Sequence, residues 1–386
     1  MKKNIAVVTG SRAEYGLLKN LLCLIQNSSE FNLNLFVTGT HLSRKYGLTF
    51  REIIKDGFNI YKKIDLKLSS DDSFSVSSST SIGMKKFGKA FKESKPDLLI
   101  VLGDRYELLS AVIPACFSNI PVAHIHGGET TEGAIDEAIR HAITKFSSIH
   151  FVATEVYRKR VIQLGEHPSK VFNVGGMGID SIATTKLLRK IDLEEKLRIK
   201  IKDKALIVTY HPVTLHGSRN KQDIKELIMS LQKLKDTTLI ITLPNADVDN
   251  LQIQSALNKF ANKNSNVHLF KSLGQTIYFS LLALVDGVIG NSSSGLLEVP
   301  YFRKGTINIG ERQKGRLKTK SIIDCNPESD SITKAIKKLY SKNFQNKLNE
   351  FQNLYGYKGA SKKIFNILNQ IEFKKLIQKS FYDIEY

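Results

Sequence analysis

The sequence predicts an α/β protein built from two Rossmann-like units, each a parallel sheet with helices on both faces. Two observations carry this. Short apolar, β-rich runs alternate with longer helical patterns through most of the 386 residues. Alternation of that kind calls for parallel strands joined by helical crossovers. The runs also fall into two sets. The second restarts with Lys204-Ala205-Leu206-Ile207-Val208-Thr209, echoing Asn4-Ile5-Ala6-Val7-Val8-Thr9.

In the first set the strand-like runs are Ile5–Thr9, Leu33–Thr38, Leu98–Leu102, Val122–Ile125 and Ile149–Ala153. In the second they are Ala205–Thr209, Thr238–Leu243, Val267–Phe270, Val285–Ile289 and Thr306–Ile309. The clearest helix carries Ile135, Ala138, Ile139, Ala142, Ile143 and Phe146, an apolar stripe with the period of one helix face. The serine-rich stretch Ser69–Ser81 is either a mobile loop or the start of the helix that carries Phe87 and Phe91. The break between units falls near Gly175–Gly178 or within the charged stretch Leu187–Lys204. We place the units at 1–178 and 179–360. In 361–386 a helical pattern (Ile364, Ile367, Leu368, Ile371) precedes a polar end that either packs back on the first unit or frays. Ligands of open parallel sheets bind beyond the strands' carboxyl ends, so an inter-domain cleft is expected there.

Composition narrows the function classes. A hydrophobic content of 41% supports packed cores and argues against disorder. No apolar run approaches the roughly 20 residues needed to span a bilayer, and no membrane role is expected. Cys23, Cys116 and Cys325 are odd in number and scattered, which suggests buried free thiols in a reducing, cytoplasmic setting. The net charge of +20 raises nucleic acid as a partner. The lysines are mostly dispersed, however, and no zinc finger, recognition helix or basic-aromatic platform accompanies them. The expectation is no nucleic acid.

The most informative stretch is Gly290-Asn291-Ser292-Ser293-Ser294-Gly295, running into Leu296-Leu297-Glu298. It follows an apolar run and precedes a short helix ended by Pro300. A small-residue turn between strand and helix leaves N–H groups at the positive end of a helix dipole, which suits phosphate. Glu298, about one turn inside, is placed to accept from ligand hydroxyls. Phosphate beside sugar suggests a nucleotide. The alternative is a loop that only caps the helix.

Other candidates follow strands in the same way. Thr9-Gly10-Ser11-Arg12-Ala13-Glu14-Tyr15-Gly16 feeds a helix but is not GxGxxG, so an NAD role is weak and no cofactor is expected. Arg12 is either a diphosphate clamp or a solvated arginine beside a helix cap. Asp104 and Arg105 end a buried strand, either facing the ligand or pairing to tie down a loop. In His124-Ile125-His126-Gly127-Gly128-Glu129 the two histidines raise a metal site, but no third ligand is fixed by spacing and none is assigned. Asp136, Arg140 and His141 share the polar face of the striped helix, where an ordinary Asp136–Arg140 ion pair is the alternative to function. With Asp104, His126, Glu129 and Glu132 they crowd ionisable groups into one region, where carboxylates acquire separated pKa values. Beyond a strand of the second unit, His211 is held extended by Pro212 and either projects toward ligand or lies on the surface. Asn245 sits in a polar turn, and Arg312 in a basic, glycine-flanked run.

Taken in order, TGSRAEYG (9–16), GDR (103–105), HIHGGE (124–129), IDEAIRHAITK (135–145), HPVT (211–214), IGNSSSGLLEVP (289–300) and NIGERQKGR (308–316) resemble the hydrolysing UDP-N-acetylglucosamine 2-epimerases of bacterial sialic-acid biosynthesis. The resemblance implies a GT-B-like fold and hydrolysis of UDP-N-acetylglucosamine to UDP and N-acetylmannosamine, with inversion at C2. Relatives of similar motif accept a 2,4-diacetamido-6-deoxy sugar on the way to legionaminic acid. A GT-B glycosyltransferase is the rival class. The resemblance also implies that Arg12 holds diphosphate and Asn245 lines the nucleotide site. Ser292, Ser293 and Gly295 belong to the phosphate turn, Glu298 takes ribose hydroxyls, and Arg312 closes the pocket. Asp104, Asp136 and His211 match residues implicated in catalysis, with Arg105 beside them. Some relatives carry a glutamate where this chain has His126, so Glu129, Glu132 or His126 itself takes that role. A homodimer or larger assembly is implied as well.

Overall fold

Strands covered on both faces must be apolar throughout, and the central strands of this protein are. The computed structural model describes residues 2–44, 46–67, 72–131, 135–211, 220–243, 250–351, 353–356 and 358–384. These divide into two units, Met1–Ser181 with Tyr355–Tyr386, and Ile182–Leu354.

The first unit holds β1 (Lys3–Thr9), β2 (Phe31–Thr38), β3 (Ile60–Ile64), β4 (Leu98–Leu102), β5 (Val122–Ile125), β6 (Ile149–Val152) and β7 (Val171–Asn173). They form one parallel sheet in the order β3-β2-β1-β4-β5-β6-β7. β1 is central, with Ile5 opposite Leu33 of β2 on one side and Leu98 of β4 on the other. Helices α1 (Arg12–Gln26), α2 (Phe50–Lys55), α3 (Ser73–Ser94), α4 (Tyr106–Phe117), α5 (Ile135–Phe146) and α6 (Glu155–Gln163) make the crossovers. α7 (Met177–Thr184) runs across the division between units.

The second unit holds α8 (Lys190–Leu197), β8 (Lys204–Thr209), α9 (Asn220–Leu231), β9 (Thr237–Thr242), α10 (Asn250–Asn262), β10 (Val267–Phe270) and α11 (Gly274–Leu284). It continues with β11 (Gly287–Gly290), α12 (Ser294–Leu297), β12 (Gly305–Ile309), β13 (Ile322–Cys325), α13 (Ser329–Leu339) and α14 (Lys342–Lys347). Its sheet runs β10-β9-β8-β11-β12-β13, again wholly parallel. Both sheets reverse direction beside their first strand, between β1 and β4 and between β8 and β11. That reversal is where open α/β sheets bind ligands.

The chain then returns to the first unit. α15 (Ala360–Gln370) buries Ile364 and Leu368 completely, each contributing about 1.5–3 kcal/mol. They join a core that includes Ile5, Leu18, Leu35 and Ile100. Phe31 meets Phe365 edge-on at 5.7 Å and stacks on Phe373 at 6.3 Å. Asp180 caps the start of α15, accepting from the N–H groups of Gly359, Ala360 (3.0 Å) and Ser361 (2.5 Å).

Several expectations need correcting. β3, β7 and β13 were not anticipated, and all three are edge strands. Of the two readings of Ser69–Ser81 the helix start holds, α3 opening after its N-cap Asp72, with 68–71 outside the described residues; the thiols expected to be buried are exposed at Cys116 and only partly buried at Cys23 and Cys325. Val285 is the C-cap of α11, and the strand after it starts at Gly287. Pro300 does not end a helix; it lies inside a 3₁₀ turn, Val299–Phe302, that follows α12 directly. Among the described residues, no helix is long and apolar enough to cross a membrane.

Candidate functional site

Among the described residues the candidates other than Arg12 gather near the carboxyl ends of the strands, in one group per unit. In the first unit the centre is Arg140 of α5. Its side chain is 4% exposed, so its charge must be met inside the protein. Nη2 pairs with Asp104 at the end of β4 and donates to Thr131 Oγ1 at 3.1 Å. Nη1 donates to the His126 carbonyl at 3.1 Å and lies 3.7 Å from Glu129 Oε2. Arg140 therefore joins the β4 and β5 ends, and the alternative reading of a helix pair with Asp136 is not what the structure shows. Burial, and then the Asp104 charge, push the Asp136 carboxyl above its usual range.

Arg105 does not pair with its neighbour Asp104. Its Nε lies 3.2 and 3.1 Å from the two oxygens of Glu107, and Nη2 donates at 2.6 Å. Glu107 is fully buried, and Glu14 adds a second carboxylate 3.6 Å away. Burial lowers the Arg105 pKa, but Glu107 and Glu14 more than reverse this and raise it. Glu14 accepts the Gly10 N–H at 2.7 Å. Burial pushes its carboxyl up to about 7, against the pull of Arg105. Arg12 stands apart, half-exposed and paired with Glu52 at 3.0 Å.

The two histidines of the β5 end do different things. His124 is fully buried; Nε2 meets the Gly103 carbonyl at 2.8 Å and Nδ1 meets Thr144 Oγ1 at 3.1 Å. Burial pushes it down to about 3, so it stays neutral and holds β4, β5 and α5 together. His126 lies 3.0 Å from Glu129 and accepts from the Met177 N–H at 3.2 Å. The pair does not converge on one point. Among the described residues no group of three or more metal-ligating side chains gathers.

In the second unit the hub is Asn291, fully buried in the turn after β11. Its Oδ1 accepts the His211 N–H at 2.7 Å and its Nδ2 donates to the His211 carbonyl at 2.8 Å. Its own carbonyl accepts from Arg312 Nη1 at 3.0 Å and Gln313 Nε2 at 2.8 Å. One asparagine thus gathers the ends of β8, β11 and β12. Burial, and then Arg312, push His211 down to about 4, and its Nδ1 has no hydrogen-bond partner among the described residues. A neutral, partly buried imidazole at a strand end can accept a proton.

Gly290 has φ +143, and a Cβ there would fall 1.8 Å from the Thr209 carbonyl oxygen, so only glycine lets β11 approach β8 this closely. Ser292 and Ser293 are partly buried, and their carbonyls accept the N–H groups of Gly295 (3.2 Å) and Leu296 (3.0 Å). Gly295 is buried, with its carbonyl accepting Thr306 Oγ1 at 2.7 Å. Glu298 accepts from the Ser294 hydroxyl, which lies 2.6 Å from Tyr278 Oη. Burial raises the Glu298 carboxyl. Asn245, Glu132 and Pro212–Thr214 lie outside the described residues.

Sequence reasoning passed over Glu107, Asn291 and Gln313, and gave Glu14 and Arg140 no function. Glu14, Glu107, Asn291 and Gln313 shared one signal, a polar side chain within about five residues of the end of an apolar strand; Arg140, in the middle of α5, carried none of that kind.

Comparison with known proteins first gives the class. A Staphylococcus aureus MnaA structure with UDP matches with a TM-score of 0.78 at 17% identity, covering 99% of this chain and 100% of that one. A lipopolysaccharide outer core galactosyltransferase, WaaB, matches at 0.53 and 13% identity over 95% and 100%. The fold is GT-B-like. The family described as UDP-N-acetylglucosamine 2-epimerase matches residues 24–369. A Campylobacter jejuni GDP/UDP-N,N'-diacetylbacillosamine 2-epimerase (hydrolyzing) is 42% identical over 99% of this chain and 100% of its own length. Escherichia coli polysialic acid biosynthesis protein P7 is 39% identical over 99% and 98%. A Legionella pneumophila UDP-N,N'-diacetylbacillosamine 2-epimerase (hydrolyzing) is 33% identical over 96% and 97%. The chain belongs to the UDP-N-acetylglucosamine 2-epimerase family, as a hydrolysing nucleotide-sugar 2-epimerase.

Proposed function

We propose that the substrate is UDP-N,N'-diacetylbacillosamine, a 2,4-diacetamido-2,4,6-trideoxyglucose linked to UDP. Hydrolysis with inversion at C2 releases UDP and the corresponding mannose-configured sugar. The observation that carries this is the 42% identity, end to end, with a relative named for that sugar, supported by a second at 33%. UDP-N-acetylglucosamine is the second reading, favoured by the 39% identity with a polysialic acid biosynthesis protein.

The C2 hydrogen is not flanked by a carbonyl, so direct proton abstraction is very slow. Departure of UDP from C1 acidifies it. The C2 proton leaves to a carboxylate, the C1–O bond breaks, and a 2-acetamidoglucal forms. Water then adds its hydroxyl to C1, and a proton returns to C2 on the opposite face. The second unit holds the nucleotide, with Ser292, Ser293, Arg312 and Asn245 at the nucleoside diphosphate and Glu298 at the ribose. Electrostatic stabilisation of the departing diphosphate contributes several kcal/mol. Arg12 adds to it. In the first unit Asp104 and Asp136 exchange protons with C2, with Arg105 beside them and Glu129 as the further proton carrier. The raised Asp136 carboxyl beside the Arg140-paired Asp104 supports that division of labour. His211 takes part at the sugar from the second unit.

The test offers both UDP-sugars to the protein in deuterium oxide and identifies products by NMR. The expected outcome is faster turnover of the diacetamido sugar, with deuterium at C2 of the released product. Preference for UDP-N-acetylglucosamine selects the second reading. Protium alone at C2 under rapid quench removes the elimination route.

A further inference from the structure

Glu107 stands in the first turn of α4 and is wholly buried. A buried carboxylate must have its charge met by bonds. Among the described residues all of its hydrogen bonds come from Arg105, from Nε at 3.2 and 3.1 Å and from Nη2 at 2.6 Å. That is the side-on clasp of a guanidinium, which fixes its plane as well as its place. The backbone leaves room for this carboxylate and little else. Gly39, just past β2 at φ +57, would bring a Cβ within 2.9 Å of Glu107 Oε1 and 2.7 Å of the Gly10 carbonyl oxygen. The ends of β1, β2 and β4 therefore meet around one group. Glu14 adds charge, 3.6 Å from Nε, through an oxygen that makes no hydrogen bond among the described residues. The Arg105 side chain is still 39% exposed, and its Nη1 meets no protein group among the described residues. One edge of the guanidinium is clasped and the other is open. Its charge also reaches Asp136, where it opposes the rise that burial causes.

We propose that Glu107 is a positioning residue: its buried carboxylate locks the Nε–Nη2 edge of Arg105, so that the Nη1 edge stands at the end of β4 to donate to an oxygen of the bound sugar nucleotide. An unclasped arginine would give up its rotamer freedom on meeting that oxygen, whereas here the loss is taken during folding. The acceptor is a diphosphate oxygen or an acetamido carbonyl, both of which take N–H donors of this kind. Glu107 touches no substrate and acts only through Arg105. The role of Arg105 rests on the reaction proposed above; the lock does not.

Three measurements on the whole protein test it. ¹H–¹⁵N correlation on arginine-labelled protein reads the lock without substrate. The Arg105 Nε–H, identified by its absence from R105M/E107Q, should exchange slowly with water in wild type and fast in E107Q. Fast exchange in wild type, or equal protection in E107Q, overturns the proposal. The kinetic arm compares E107Q with R105M/E107Q, which leaves neither charge of the pair behind. E107Q should lose about a hundredfold in kcat/KM. The double variant should match E107Q within about twofold, because Glu107 acts only through Arg105. Wild-type activity in E107Q, or a double variant far slower than E107Q, overturns the proposal. If E107Q does not fold, E107D takes its place; it keeps the charge on a shorter arm, and unchanged activity there also overturns the lock. Titration of wild type and E107Q with UDP and with the UDP-sugar finds the acceptor. Weaker binding of both puts it on the diphosphate, weaker binding of the UDP-sugar alone puts it on the acetamido carbonyl, and unchanged binding of both overturns the proposal. Wild-type protein that turns over neither UDP-sugar refutes the reaction, and the exchange and titration results then decide the proposal by themselves.

Discussion

Replacing Asn291 with alanine tests whether one buried amide organises the strand ends of the second unit. Its side chain makes two bonds to the His211 backbone, at 2.7 and 2.8 Å, and no other described side chain meets that N–H and carbonyl. Alanine leaves both unpaired. A buried polar group without its partner costs about 1–3 kcal/mol, and partial contact with water at His211 keeps the sum near the lower end, about 2–4 kcal/mol. In a unit of this size each kcal/mol moves the melting temperature by about 2–4 °C, so a fall of roughly 5–15 °C is expected. Differential scanning calorimetry reads the transition, and UDP titration of the same samples reads the site. UDP affinity should fall as well, because the Asn291 carbonyl also anchors Arg312 and Gln313. An N291A protein that melts within about 1 °C of wild type and binds UDP unchanged would refute the reasoning.

Three further outcomes follow from buried groups of the first unit. Burial holds the Glu14 carboxyl at about 7 in the folded protein, against an ordinary value of 4.5. The folded state therefore binds more protons between those values, and stability should fall as pH rises through that window by an amount on the order of 3 kcal/mol. E14Q should flatten the slope in urea melts at several pH values; an identical slope in both proteins rejects the assignment. G128A forces a Cβ to 2.5 Å from the Tyr157 carbonyl at positive φ and should cost about 2 kcal/mol or more by thermal melt, with wild-type stability as the contrary result. K379A removes bonds to the Lys145 and Ser147 carbonyls (2.7 and 2.8 Å) and a 2.8 Å pair with Glu166, and should cost about 1–2 kcal/mol. Glu166 is held at about 2, against its own burial, by His150, Lys145 and Lys379. Its contribution is present above about pH 4.5 and lost as pH falls toward 2, so K379A should show less acid sensitivity than wild type. Unchanged acid melts would count against that account.

The centre of each sheet was legible because a doubly covered parallel strand is a continuous apolar run, and Leu98–Leu102 has no other good explanation. The edges were not. Ile60-Tyr61-Lys62-Lys63-Ile64 alternates with lysines, Val171–Asn173 is three residues long, and Ile322–Cys325 carries Asp324. Edge strands with one wet side lose the apolar signature that identifies strands. The turn at 290–295 was visible as a run of small residues, whereas Asn291 within it looked like another turn residue. Its function depends on His211, which is brought near only when β8 and β11 pair. Arg140 shows the same limit. Spacing offered Asp136 one turn away, but the structure gives it Asp104, which sequence alone could not place beside it.

The route of the backbone has a consequence for synthesis. Ala360, Ile364, Leu368, Phe373 and Leu376 complete the hydrophobic interior of the first unit, yet they leave the ribosome only after the second unit has been made. At about 5–20 residues per second, the opening segment waits roughly 10–35 s after Ser181 while the intervening unit is made. During that interval the surface around Phe31 and Leu18 lacks its cover. A nascent chain of this protein is therefore a natural client for chaperones, and premature termination between Ser181 and Ala360 would leave a half-closed lobe exposed to proteolysis.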